Sequence, residues 1–365
     1  MSYRQNLKLL LTTRAIADGG AERVWLTLAR AFAQRGAEVI LAIDDPSTPC
    51  GLDATTNPRL VGIGRKHPVG VVGLARLLAR ERPDVALAAV SGSCSKLVAA
   101  KLLARSRTPL VLSYHGFEEW RTGRLAASAY VGLPLVNRAA ARIVAVSDGL
   151  GRSLTEKWGA DPAKTSRIYN PVALDLAEAA ASAHDLGDRP PIVTAIGRLS
   201  VEKGMIDLVE AFAHVRRPNA RLVIGGEGPE RGRIEARIAA LGLGDRVRLL
   251  GQVDPIEHYR RARVIAIPSR TEAFGLVVAE ALAHGLPIVA TDCDEPRQIL
   301  GAGRWGRIVP IGDPKAMARG IEAALDEPGA PDARIARAAD FSLETGIDAW
   351  ADLIDGIVAE SATLS

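Results

Sequence analysis

The chain has 365 residues, 48% hydrophobic and 24% charged, which is enough apolar material for sizeable cores and, by length, suits two domains. No run approaches the ~18 consecutive apolar residues of a membrane span, and the apolar run in MSYRQNLKLLLTTR is too short for a signal peptide. Cys50, Cys94 and Cys293 lie too far apart for a metal site or disulfide framework, so the chain reads as cytoplasmic. Residues 1–170 carry 24 Lys and Arg against 13 Asp and Glu, while the remainder carries 22 against 29. A basic half suggests an anionic partner surface. With aromatics at 4% and no stacking platform, an anionic membrane leaflet fits it and nucleic acid does not. A solvated arginine-rich surface is the plain alternative.

In chain order, apolar runs alternate with longer amphipathic segments. The runs are LKLLLTT (7–13), EVILAI (38–43), DVALAAV (84–90), PLVLSYH (109–115) and RIVAVS (142–147). Later come PIVTAIGR (191–198), ARLVIGG (220–226), VRLLGQV (247–253), VIAIPS (264–269), PIVATD (287–292) and GRIVPI (306–311). Runs that are apolar throughout predict strands buried on both faces of a parallel sheet. AERVWLTLARAFAQRG, with Val24, Leu28 and Phe32 every four residues and Arg35-Gly36 at its end, predicts a helix. The alternation pauses at PVALDLAEAAASAHDLGDRPP, which predicts a connection between two doubly wound domains, 1–171 and 172–344. SLETGIDAWADLIDGIVAES predicts a terminal helix over about 345–365, with Ile347, Trp350, Leu353, Ile354 and Ile357 on one face. Ligand crevices in such sheets lie at the carboxyl ends of strands, which points to the cleft between the domains.

Residues with chemistry stand at those strand ends. Gly19 and Gly20 precede the first helix, where glycines let backbone approach an anion; a tight turn needs the same pair. His115 follows a strand and suits a polar substrate contact or a structural hydrogen bond. Ser147 reads as a helix cap and Asn170-Pro171 as a rigid hinge. In GRLSVEKG (197–204), Arg198 and Lys203 flank one short loop, a good arrangement for a diphosphate. IGGEGPE (224–230) places Gly226 at the next strand end, and Gly251 and Val253 offer backbone groups for a base.

RTEAFGLVVAEALAHGLPIVATD (270–292) puts two glutamates, Glu272 and Glu280, into almost wholly apolar company, and such charges cost several kcal/mol unless bonded. Helix composition begins near Gly275, so Glu272 precedes the helix and Glu280 lies inside it. Between them the amides of Phe274, Gly275 and Leu276 make a positive helix end suited to phosphate. A nucleotide sugar matches this layout: hydroxyls on one carboxylate, diphosphate on the helix end and cations, ribose on the other carboxylate. An N-cap glutamate with a buried ion pair is the structural alternative.

In this order GGAER, SYHG, IYNPV, GRLSVEKG, IGGEGPE and PSRTEAFGLVVAEALAHGLPIVATD resemble the retaining glycosyltransferases of family 4, over most of the chain. The resemblance implies the GT-B fold, an α/β architecture of two Rossmann-like domains facing each other across a cleft, with the C-terminal helix packing back onto the first. It implies a nucleotide-diphosphosugar donor, no metal or other cofactor, retention at the anomeric carbon and a glycan or lipid-linked acceptor. By that pattern Gly20 meets a phosphate or the acceptor, and His115 lies beside the donor sugar. Arg198 and Lys203 clamp the diphosphate, Glu272 contacts the sugar and Glu280 the ribose. Cys293-Asp294-Glu295-Pro296 departs from the family's Gly-Gly element and is assigned no role. A GT-B epimerase and a non-catalytic nucleotide-sugar-binding subunit are the competing readings. The absence of a three-glycine phosphate turn speaks against a dehydrogenase.

Overall fold

The computed structural model describes residues 7–16, 20–46, 52, 57–64, 67–117, 132–172, 176–181, 183 and 186–363, and the structural statements below concern these. Seven strands come first: β1 (Lys8–Thr13), β2 (Glu38–Ile43), β3 (Arg59–Gly62), β4 (Val85–Ala89), β5 (Leu110–Tyr114), β6 (Arg142–Ala145) and β7 (Thr165–Arg167). Six follow: β8 (Ile192–Ile196), β9 (Arg221–Gly225), β10 (Val247–Gly251), β11 (Val264–Ile267), β12 (Ile288–Thr291) and β13 (Arg307–Val309). They form two parallel sheets, ordered β3-β2-β1-β4-β5-β6-β7 and β10-β9-β8-β11-β12-β13, with helices between successive strands except β2 and β3, where none is described. The chain divides into two units, Met1–Pro171 with Leu343–Ser365, and Val172–Ser342, each built around one sheet.

Every apolar run named above forms a strand. In β4, β5, β11 and β12 every residue is buried, as strands covered on both faces require. β3 and β7 were not predicted. Both are edge strands with exposed positions, so their sequences need not be apolar throughout. The segment after Pro171 is more than a connection, since it holds the helix Leu176–Ala181, which packs within the second unit. The Val172 amide donates to the Phe341 carbonyl at 2.8 Å, so the two points where the chain passes between units are bonded side by side.

In the first unit the helix Gly20–Gln34 buries Val24, Trp25, Leu28 and Phe32 and is followed by Gly36 at φ +92°. The helix Leu343–Thr363 buries Ile347, Trp350, Ile354 and Ile357. Trp350 meets Trp25 edge-on at 5.6 Å, and Arg35 pairs with Asp348 at 2.7 Å. Leu353 lies half-buried at the margin of that face.

The two sheets share one topological feature that positions function. Strand order reverses between β1 and β4 in the first and between β8 and β11 in the second. Loops leaving the carboxyl ends of two such neighbours diverge to opposite faces and leave a crevice. In the second unit those loops are GRLSVEKG and PSRTEAFG.

At the opposite end of the first sheet, Glu81 accepts from Lys8 (3.1 Å), Arg59 (2.9 Å) and Arg80 (2.7 Å). Burial alone would raise its carboxyl; the hydrogen bonds from Arg59, Lys8 and Arg80 outweigh burial and hold it at about 2. A carboxyl whose folded pKa is depressed stabilises the protein above its unfolded value near 4.5 and loses that contribution as pH falls towards 2. Glu81→Gln is therefore expected to destabilise the protein at pH 7, with the gap to wild type narrowing below pH 4.5, as measured by denaturant unfolding across pH.

Candidate functional site

The turn after β8 runs Gly197–Gly204. Its 3-10 segment Val201–Lys203 ends at Gly204, whose φ is +63°. The turn after β11 runs from Pro268 to Gly275. The two are joined at backbone level: the Arg270 amide donates to the Glu202 carbonyl at 2.8 Å. A Cβ on Gly204 would lie 2.1 Å from the Pro268 oxygen. The Lys203 ammonium donates to Glu272 Oε2 at 2.5 Å, and the Ser269 hydroxyl donates to the same oxygen at 3.3 Å. The pair is partly withdrawn from water, with side-chain exposures of 25% for Lys203 and 15% for Glu272. Arg270 makes a bidentate pair with Asp207, at 3.0 and 2.9 Å, which ties the β11 turn to the helix Met205–Ala213. Thr291 in β12 donates to the Ser269 carbonyl from the other side. Arg198 is exposed, with no ion-pair partner among the described residues.

Neighbouring strand ends are stitched to these turns. Gly197 N donates to Gly225 O at 3.0 Å and Gly226 N to Gly251 O at 2.7 Å. Gly226 has φ +139°, and a Cβ there would meet the Gly197 carbonyl at 1.9 Å. Its missing side chain thus admits the protein's own backbone. Val253 packs its side chain over Gly225. Gly226 therefore lies against the Gly197 turn, while Gly251 and Val253 pack against the turn after β9.

The helix Leu276–Ala283 starts from Gly275, whose φ of +85° and ψ of 63° suit a residue without a Cβ. Among the described residues no backbone carbonyl accepts from the amides of Gly275 or Leu276, which stand at the positive end of the helix. Glu280, one turn on, is 8% exposed, and the Tyr259 hydroxyl donates to its Oε2 at 2.6 Å. His284 lies against the Tyr259 ring with centroids 5.3 Å apart. Burial first, then the charges of Arg260 and Arg189, push this histidine down to about 4, so it is neutral at physiological pH. The two glutamates that looked alike in sequence thus have different partners. Glu272 is ion-paired in a turn, and Glu280 is held by a tyrosine within a packed helix.

In the first unit Gly20 is the exposed first residue of its helix, while Gly19 lies outside the described residues. His115 follows β5, with its Nε2 3.0 Å from the Ser113 hydroxyl and its ring edge-on to Trp25 at 5.7 Å. Burial pushes it down to about 4, outweighing the opposing effect of the Asn170 side chain as an acceptor, so it carries no charge near neutrality. Ser147 caps its helix as predicted, accepting from Leu150 N at 3.2 Å.

Sequence reasoning missed Asp207, Ser269, Arg270, Tyr259 and Thr291. Arg270 and Ser269 sit inside the quoted motif and were legible as polar residues at a strand end. Asp207 and Tyr259 are 63 and 21 positions from their partners, and nothing local signals such pairings.

Two doubly wound parallel sheets, the second with charged turns at its switch point, are the architecture expected of a GT-B transferase. A family model described as Glycosyl transferases group 1 matches residues 178–341, and one described as Glycosyltransferase Family 4 matches residues 18–176. The lipopolysaccharide core biosynthesis glycosyltransferase LpsE of Rhizobium meliloti is 30% identical over 84% of this chain and 85% of that protein. The D-inositol 3-phosphate glycosyltransferase of Kineococcus radiotolerans is 31% identical over 63% of this chain, a match that spans only 61% of that protein. Among solved structures, sucrose-phosphate synthase from Thermosynechococcus elongatus superposes with a TM-score of 0.83 at 23% identity, covering 97% of this chain and 100% of that one. Anabaena HepE in complex with UDP and glucose superposes with a TM-score of 0.80 at 20% identity, covering 96% and 100%. This chain belongs to the family 4 glycosyltransferases of GT-B fold.

The clash at Gly204 is with backbone, which cannot swing aside. Gly204→Ala is expected to cost about 1–3 kcal/mol in unfolding free energy, whereas Gly244→Ala, at an open position without positive φ, should be neutral or slightly stabilising. Thermal and denaturant melts of the two variants check this.

Proposed function

We propose that this chain is a retaining, metal-independent glycosyltransferase that moves a hexosyl or N-acetylhexosaminyl group from a nucleotide-diphosphosugar, a UDP-sugar in preference to a GDP-sugar. The acceptor is a hydroxyl of a glycan or lipid-linked glycan in cell-surface polysaccharide or lipopolysaccharide assembly. The observation that carries this reading is Lys203 facing Glu272 across the switch point of the second sheet, with the exposed Arg198 on the same turn. The complex of HepE with UDP and glucose supports the donor, and the naming of LpsE supports the acceptor class.

The chemistry follows from where charge develops. As the bond from the anomeric carbon to the β-phosphate oxygen breaks, negative charge grows on the diphosphate. Arg198, Lys203 and the Gly275 and Leu276 amides stabilise it, so no divalent ion is required. Glu272 accepts sugar hydroxyls and Glu280 those of ribose. The acceptor oxygen attacks from the leaving-group side, and the departing phosphate takes its proton. Gly20 and His115 are assigned to phosphate or acceptor and to the sugar; His115, neutral at pH 7, orients by hydrogen bonding and not by charge. The excess of Lys and Arg in residues 1–170 suits an anionic leaflet, which supports a cytoplasmic enzyme working at the inner membrane face. Among the described residues no helix is long and apolar enough to cross a membrane.

Lys203→Ala is expected to lower kcat/KM by about 2–4 kcal/mol in transition-state terms, as loss of an oxyanion donor does. The assay is transfer from radiolabelled UDP-hexose into a membrane extract, with activity surviving EDTA. Near-wild-type turnover would overturn the clamp. Pelleting with anionic vesicles at low salt, lost at high salt, tests the membrane contact.

A further inference from the structure

We propose that Glu272 is the counter-ion of Lys203 and that their pairing makes the site select an intact nucleotide-diphosphosugar over the bare nucleoside diphosphate. This rests on the donor reading above and adds a discrimination between substrate and product.

Two roles assigned to different parts of a donor fall on side chains that bond to each other. Lys203 Nζ is 2.5 Å from Glu272 Oε2, and both side chains are partly withdrawn from water. A diphosphate that engages Lys203 draws the ammonium from that carboxylate and sets further negative charge beside it. The carboxylate then needs new donors. Ser269 supplies one hydroxyl, at 3.3 Å. Arg270, two residues away, is held in bidentate fashion by Asp207. Its backbone amide already serves the Glu202 carbonyl. The Gly275 and Leu276 amides, which no backbone carbonyl takes among the described residues, are assigned to the diphosphate, so the remaining source is the ligand. A sugar on the diphosphate brings hydroxyls that donate to Glu272 and compensate for the lost cation. A nucleoside diphosphate without its sugar brings none, so it meets a part-buried carboxylate at close range with nothing to offset the repulsion. After transfer, Glu272 reclaims Lys203 and the diphosphate is expelled. The same pair therefore favours loading of donor and release of product.

Isothermal titration of UDP and of UDP-glucose, with GDP and GDP-mannose as a second set, into wild type, Glu272→Gln and Lys203→Ala tests this. Glutamine keeps the shape and the Ser269 contact but removes the charge. Glu272→Gln should bind the bare diphosphate on the order of tenfold more tightly than wild type, and its gain for the nucleotide sugar should be smaller or reversed. Lys203→Ala should weaken both ligands. Equal or weaker binding of the bare diphosphate by Glu272→Gln, or an equal gain for both ligands, overturns the proposal while leaving the donor reading intact. Wild type that binds neither nucleotide set overturns the donor reading and this proposal with it. Circular dichroism and Glu272→Ala guard against a folding defect, since Ala also removes the charge and should show the same gain for the diphosphate.

Discussion

The second sheet reverses its winding between β8 and β11, and the loops leaving those strands must be held together against the divergence this creates. Close backbone approach does most of that holding. Gly204 lies against the Pro268 carbonyl with no room for a Cβ, and the Arg270 amide bonds the Glu202 carbonyl. Only because these turns touch can the Lys203 ammonium reach the Glu272 carboxylate, and the remaining polar groups of the site are arranged around that pair.

Physical necessity also explains the company these charges keep. A carboxylate withdrawn from water must be paired or hydrogen-bonded. The chain solves the problem twice, with different chemistry. Glu272, in a turn, takes a cation from Lys203 and a hydroxyl from Ser269. Glu280, inside a helix whose residues from Val278 to Ala283 are all buried, takes a tyrosine hydroxyl from the neighbouring helix Pro255–Arg261. The first carboxylate is part-exposed in a turn, and the second is buried within a helix. The bidentate Arg270–Asp207 pair anchors the turn that carries Glu272 without competing for its carboxylate.

Much of the fold was legible because parallel strands buried on both faces have to be apolar throughout. β4, β5, β11 and β12 announce themselves in this way, as does the glycine-closed helix Gly20–Gln34. Where that requirement lapses, so does the signal. β3 and β7 lie at sheet edges with solvent on part of their surface, and no periodic pattern marks them. The glycines at 226 and 251 were visible as special positions, but whether the close neighbour was ligand or protein was not. The structure fills the space beside Gly226 with the Gly197 carbonyl.

The sequence alone determined which residue types stand at strand ends: Arg198 and Lys203 on one turn, Glu272 before a helix and Glu280 within it. These follow from local rules of burial, helix initiation and strand length, which act over a few residues. Only the tertiary structure decided who bonds whom. Lys203 and Glu272 are 69 positions apart, Asp207 and Arg270 63, and Tyr259 and Glu280 21. Such pairings depend on strand order in the sheet, with β8 placed beside β11. That order is set by the packing of the whole domain, so no short stretch of chain encodes it.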